Sequence, residues 1–338
     1  MKSFLHIIFI LLLFAPVPAK MVTVLSEVYN PGSIDVDKDH IYIVQEATIY
    51  IYSIDNFRLI KKFGKRGEGP REFLLSDDNM VFLSVQPDHL MVNSVGRITY
   101  FKKNGEYINE RLNSAGLWME PLGKNFVGMK RIYDETNTRH RKLFLFNEKL
   151  ESLKIIYEEI DGIQPIIKVI EAVTWPSGIY KLYDKKIFVT DKEKTIYVYD
   201  QTGKKLNEIN LPFKRIKVDS EVREKYLKFY REEDPYWRKR WERLKNWFKF
   251  PEYLPVVLNF LVKDDTIYIL THHQQNGMSE FLILDLSGKL KKRKMIPIIR
   301  GDWSIFNVSP FDIKNNKIYQ LAENPDTEEN ELHIFDLN

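Results

Sequence analysis

The residues of this chain best placed to do chemistry together are far apart in sequence and related by register. Six apolar pairs recur along the chain: Ile41-Tyr42, Leu90-Met91, Phe126-Val127, Ile187-Phe188, Ile267-Tyr268 and Ile318-Tyr319. Aligning on them brings Asp35, Ser84, Glu120, Lys181, Leu261 and Asp312 to one position, seven residues before the second member of each pair. Three carboxylates and a lysine meeting at one place would suit a divalent cation such as calcium, which takes oxygen ligands, or an acid–base site. Asp35, Glu120 and Asp312 are the candidates for catalysis, and Asp35 and Asp312, from neighbouring units, the candidates for a metal. The competing reading is of polar groups that wet a tunnel or bond backbone between units.

Nothing else in the sequence signals catalysis. There is no serine-hydrolase elbow, HExxH, P-loop or EF-type calcium loop. The chain has no cysteine, which removes disulfides, thiol chemistry, iron–sulfur ligation and a lipidated N-terminal cysteine. His272 and His273 adjoin at a strand end, where neighbouring side chains point to opposite sides, so they do not share a metal.

What must position the candidates is a repeat of four strands, here a to d. The first unit reads SIDVD, IYIVQ, TIYIYS and RLIKKF, and five more follow. The sixth stops at Asn338 without a d strand. Met21 to Tyr29, MVTVLSEVY, precedes the first unit and belongs to no other, so it is the donor of that strand. Pairing it with the last sheet would close a ring and cover an open edge. The expected fold is all-β: one domain over residues 20–338, a six-bladed β-propeller of four-stranded antiparallel blades. Strand a of each blade would then line a central channel.

The loop FGKRGEGPREF, Phe63 to Phe73, lies between the first two units. Its three glycines and proline cannot continue a strand, and Phe73 is an apolar plug. The loop resembles the F-G-x-x-G-x-G-P-x-E-F linker of bacterial exported six-bladed propellers related to NHL and TolB-like repeats, and SIDVDKDHIYIV resembles the segment that follows it there. The resemblance implies the fold far more than an activity. An acidic channel site would resemble, in principle, the axial metal of six-bladed lactonases.

The first nineteen residues carry Lys2, an apolar run from Phe4 to Phe14 and the ending Val17-Pro18-Ala19, a secretory signal peptide expected to be cleaved after Ala19. The mature chain is then periplasmic or extracellular. A net charge of +4, from 51 basic and 47 acidic residues, gives no footprint for nucleic acid.

Loop lengths distinguish the two ends of the ring. The a-b and c-d turns are tight. The long b-c segments RIYDETNTRH, HHQQNGMS and ENPDTEEN, and the long d-a connections, all fall at the other end. Insertions of this kind mark a binding face. It carries Lys65, Arg66, Arg71, Arg97, Arg131, Trp175, His272, Arg300 and Trp303, basic and aromatic groups suited to a protein, peptide or glycan partner.

A helical block at about 217–250, between units four and five, adds Trp237 and Trp241. Asp219 or Ser220 would cap its first helix and Asp234-Pro235 would open a second, with Trp237, Trp241, Leu244 and Phe248 on one face. Its eleven basic and seven acidic residues leave three readings open: a packed cap, a lid over the channel, or a membrane-surface contact. The functional expectation is a monomeric, non-catalytic binding or scaffolding propeller; the alternative is a metal-dependent hydrolase or lactonase at the channel mouth.

Overall fold

Six four-stranded antiparallel sheets succeed one another along the chain in meander order. The computed structural model describes residues 20–337 apart from 70, 76–79, 114, 116–118, 167, 174–179, 192 and 301–307, so the leader, Trp175 and Trp303 lie outside the described residues. Blade 1 comprises strands Ser33–Val36, His40–Gln45, Thr48–Ser53 and Leu59–Phe63. In strands b and c almost every side chain is buried, because a blade is covered on both faces by its neighbours. That explains why IYIV and TIYIY read as unbroken β-branched and aromatic runs instead of alternating. Strand d forms the rim, and its exposed Lys61 and Lys62 blunt the sheet edge.

The ring closes as expected. Lys20–Val24 pairs antiparallel with Asn330–Asp336, from Lys20 opposite Ile334 to Val24 opposite Glu331, with a bulge between Met21 and Thr23. The Leu25 amide then donates to the Asn330 carbonyl at 2.7 Å, and the Asn330 side chain donates to the Val28 carbonyl at 3.0 Å. The cores agree. Six apolar clusters are each filled from two successive blades, and one joins the last to the first, with Tyr319, Leu321 and Leu332 against Ile34, Ile41 and Tyr50.

The Phe63–Phe73 linker is fixed by its own residues. Phe73 is fully buried between blades 1 and 2, edge-on to Phe101 at 6.1 Å. Glu72 accepts from the Gly69 amide at 2.9 Å and pairs with Lys65 at 2.7 Å. Gly64 has φ +83°, and a Cβ there would lie 2.5 Å from both the Ala47 carbonyl and the Phe73 ring.

Two expectations need correction. RIYDETNTRH and HHQQNGMS are extended hairpins: blade 3 runs through Asn125–Tyr133 and Arg139–Phe146, and blade 5 through Thr266–Gln275 and Met278–Asp285. The latter turns at Asn276-Gly277, both with positive φ, the left-handed turn that matches strand twist. The helical block also differs. Asp219 caps α1, Ser220–Lys228, and Asp234 caps the short helix Pro235–Arg238, but the expected second helix breaks into Trp241–Leu244 and a 3₁₀ turn, Lys245–Trp247.

Phe248–Lys249 is a strand, parallel to Val169–Glu171 in a small three-stranded sheet with Ile163–Gln164. Tyr230, Trp237, Trp241 and Phe248 wrap one compact core with Ile170 and Val173, and a straight helix would carry the later rings away from it. Packing outweighs propensity here.

Replacing Phe73 by alanine empties a site shared by two blades and is expected to cost about 3–5 kcal/mol. Urea unfolding checks this, with Lys65→Ala, which touches only the exposed side of the linker, expected to change stability by less than about 0.5 kcal/mol.

Candidate axial site and its long-loop mouth

Strand pairing places the six aligned residues as their spacing required. Asp35, Ser84, Glu120, Lys181, Leu261 and Asp312 sit opposite Tyr42, Met91, Val127, Phe188, Tyr268 and Tyr319 respectively. All six line a single axial cavity of about 2730 Å³. The channel holds one group that the alignment passed over. Lys263, two residues beyond Leu261 and so on the same side of strand a, pairs with Asp312. Extending the alignment by two positions would have found it.

Asp312 is buried and has three donors: the Lys263 ammonium, the Val36 amide at 2.7 Å and its own neighbour's amide, Ile313, at 2.8 Å. Burial works against the Lys263 charge, but Asp312 and Asp35 carry its pKa above the usual lysine value. Its side chain keeps 28% of its surface accessible, onto the channel, so it is enclosed without being sealed from solvent. Asp35 is pushed up to about 7, first by burial and then by the Asp312 charge, with Lys263 and Lys181 opposing.

Burial also raises Glu120, against the pull of Lys181 and a hydrogen bond from the Tyr180 hydroxyl. The same burial and the Glu120 charge lift Tyr180 well above its ordinary range. The cluster thus supplies its own counter-charges. For a divalent cation the fit is poor: the ion would have to displace Lys263 from Asp312, and Asp35 near neutrality offers a carboxyl that is often protonated.

The long-loop end of the cavity is built differently. Blade 3 strands b and c extend beyond the Asn125–Gly128 segment paired with strand a, and they carry Arg131 directly opposite Arg141. Arg131 and Arg139 both reach Asp161, at 3.0 and 3.2 Å, and Arg141 pairs with Glu159 at 2.5 Å. Arg139 falls within RIYDETNTRH, which reads as a loop, and Arg141 opens the strand RKLFLF, where nothing in the sequence marks it for function.

Arg300, also at the cavity wall, donates to the Ser279 hydroxyl at 3.1 Å and the Thr271 carbonyl at 3.4 Å, and burial lowers it to about 10. His272 is pushed down to about 4 by burial, with Arg300 adding to it, while His273 is exposed. The helical block stands at this mouth. Tyr230 donates to the Ala172 carbonyl at 2.9 Å, and Tyr236, over which Arg240 lies at 3.8 Å, lines the cavity.

The remaining sequence candidates lie elsewhere. Lys65, Arg66, Arg71 and Arg97 do not line the cavity. Arg97 donates to the carbonyls of Glu68 at 3.1 Å and Gly69 at 3.4 Å, and Arg71 stacks on Tyr107 at 5.0 Å, so these two brace the linker. Arg66 is exposed, its backbone bridged to Phe73. Trp237 and Trp241 pack on Phe248 at 5.8 and 5.6 Å within the cap core.

Because the folded-state pKa of Asp35 lies above its ordinary value of 3.8, its stabilising effect is complete below about pH 4 and disappears as pH rises through 7. Asp35→Asn is therefore expected to gain about 1–2 kcal/mol relative to the parent chain between pH 4.5 and 8 in urea titrations, less than the full shift because channel solvent screens the group. A pH-independent difference would contradict this. Calcium at millimolar concentration should leave the melting temperature of the parent chain unchanged in differential scanning fluorimetry, while Lys263→Met, which frees Asp312, gains a calcium-dependent rise.

No protein-family model matches the chain, and no curated protein matches it in sequence. Solved structures do. BamB from Moraxella catarrhalis is 11% identical over 89% of this chain and 71% of its own, with a TM-score of 0.31. The computationally designed Ika8 protein is 9% identical over 94% and 100%, TM-score 0.40. BBS1N, in complex with ARL6DN, is 14% identical over 88% and 74%, TM-score 0.39. At these values none of them assigns a family or a function to this chain.

Proposed function

We propose that this protein is an exported, non-catalytic binding propeller that receives a protein, peptide or glycan partner at the long-loop mouth of its axial cavity. The observation that carries the reading is the asymmetry of the channel. Two of its three axial carboxylates, Asp312 and Glu120, are already matched by Lys263, Lys181, Tyr180 and backbone amides. Its long-loop end gathers the extended blade 3 hairpin, the helical cap and Arg300 around an open entrance. Export rests on the leader MKSFLHIIFILLLFAPVPAK, and no helix among the described residues is long and apolar enough to cross a membrane. Kinship with the NHL and TolB-like propellers rests on the FGKRGEGPREF linker.

The hydrolase or lactonase alternative draws on one observation, a carboxyl held near neutrality at Asp35 beside Asp312. The membrane-surface reading draws least support, because Trp237 and Trp241 turn into the cap core.

Replacing Tyr236 at the long-loop mouth, and separately Lys38 on the turn face, by a photo-crosslinking phenylalanine tests the proposal on the full chain in its source cells. Defined adducts are expected from position 236 and not from 38. Adducts only from position 38 would reverse the face, and lactone hydrolysis abolished by Asp312→Asn would move the assignment to an enzyme.

A further inference from the structure

We propose that the long-loop mouth seats the carboxylates of an acidic peptide against Arg131, Arg139 and Arg141 of blade 3. This rests on the binding reading above and specifies its ligand. Among the described residues the three guanidiniums share two carboxylates, Asp161 and Glu159, so the cluster keeps a positive surplus at the cavity wall. Such a surplus is unfavourable in a sheet: Arg131 and Arg141 are cross-strand partners, and like charges directly opposite one another destabilise. An anion entering the cavity relieves it.

The donors are also available. Among the described residues Arg131 donates only through Nε, to Asp161, and with 55% of its side chain exposed its terminal fork is open for a two-pronged carboxylate contact. Arg141 is buried to all but 8% of its side chain and is paired with Glu159, so it adds charge behind the open fork of Arg131. The frame is rigid. The Gln164 side chain accepts from the Arg139 amide at 2.7 Å and donates to the carbonyls of Arg139 at 2.6 Å and Asp161 at 2.8 Å, so little order remains to be imposed on binding.

Size and polarity select a peptide over a small anion. The cavity, about 2730 Å³, exceeds the roughly 300–1,000 Å³ of small-molecule sites. Its wall at blades 1 and 6, across the ring from blade 3, carries Glu46, Glu323 and Glu328. A ligand charged all round would meet repulsion there, whereas a peptide can direct its carboxylates to one wall only. Tyr236, 56% exposed at the same mouth, offers a ring against which peptide backbone or side chains can lie.

Fluorescence anisotropy with a labelled hexaglutamate peptide and the mature chain tests the inference, the folding of each variant being checked by its thermal melt. Hexaglutamate is expected to bind, with affinity falling at least tenfold in Arg131→Ala, further in Arg131→Glu, and less in Arg131→Lys, which keeps the charge without the fork. Lys317→Ala, on the turn face, should leave it unchanged, and hexalysine should not bind. Absence of hexaglutamate binding, or binding indifferent to Arg131→Glu, would overturn the proposal. Equal competition by inorganic phosphate or trigalacturonate would overturn the peptide class. The two failures separate: a partner still cross-linked from position 236 in Arg131→Glu would keep the mouth as the binding face while removing the arginines from it.

Discussion

The pairing of Lys20–Val24 with Asn330–Asp336 is the constraint from which the rest follows. Five blades and a three-stranded remnant would expose one edge of the last sheet and leave the apolar faces of blades 1 and 6 without partners. One strand from the start of the chain satisfies the edge, and the residues just after it, Leu25 and Val28, join the cluster between those blades. Backbone hydrogen bonding and apolar burial therefore close the ring at the same place. Without disulfides, closure rests on these two sources together with side-chain hydrogen bonds across the seam, from Asn330 to the Val28 carbonyl and from the Val36 amide to Asp312.

Closure has a chemical consequence at the axis. A ring of six inner strands necessarily brings one residue from each blade to a common level, and polar residues there must find partners among themselves. Asp312 does so through Lys263 and two amides, Glu120 through Tyr180 and Lys181. Asp35, the third carboxylate, has no such set, and its proton affinity rises instead. At the axis two of the three carboxylates are matched in this way, while at the mouth, among the described residues, Arg131, Arg139 and Arg141 pair with only Asp161 and Glu159.

Much of this was legible beforehand. The seven-residue spacing between Asp35 and Tyr42, repeated to Asp312 and Tyr319, is a register statement, and register survives from sequence to structure because strand side chains alternate with period two. The missing d strand and its donor followed from counting strands. What sequence concealed were features set by packing between distant segments. The Phe248–Lys249 strand depends on Val169–Glu171, more than seventy residues earlier, and the helix that should have contained it is broken by the shared aromatic core. The blade 3 hairpin reads as a loop because Asp134, Thr136, Asn137 and Thr138 are turn residues, and Arg131 and Arg139 on either side read with the turn. Trp237 and Trp241, binding candidates in the sequence, are partly buried against the core of the cap, as the packed-cap reading has them.

The two ends of the channel thus differ for a topological reason: tight hairpins at one end, chain free to lengthen at the other. All of it presupposes that the ring is shut by the first strand. Amide hydrogen exchange of the mature chain measures this directly. The Leu25 amide, which donates to Asn330 across the closing pair, is expected to be protected to the same degree as amides of the central strands b and c of blade 1, such as Ile43 and Ile51; exchange of Leu25 at the open-chain rate while the other blades stay protected would contradict closure by the first strand.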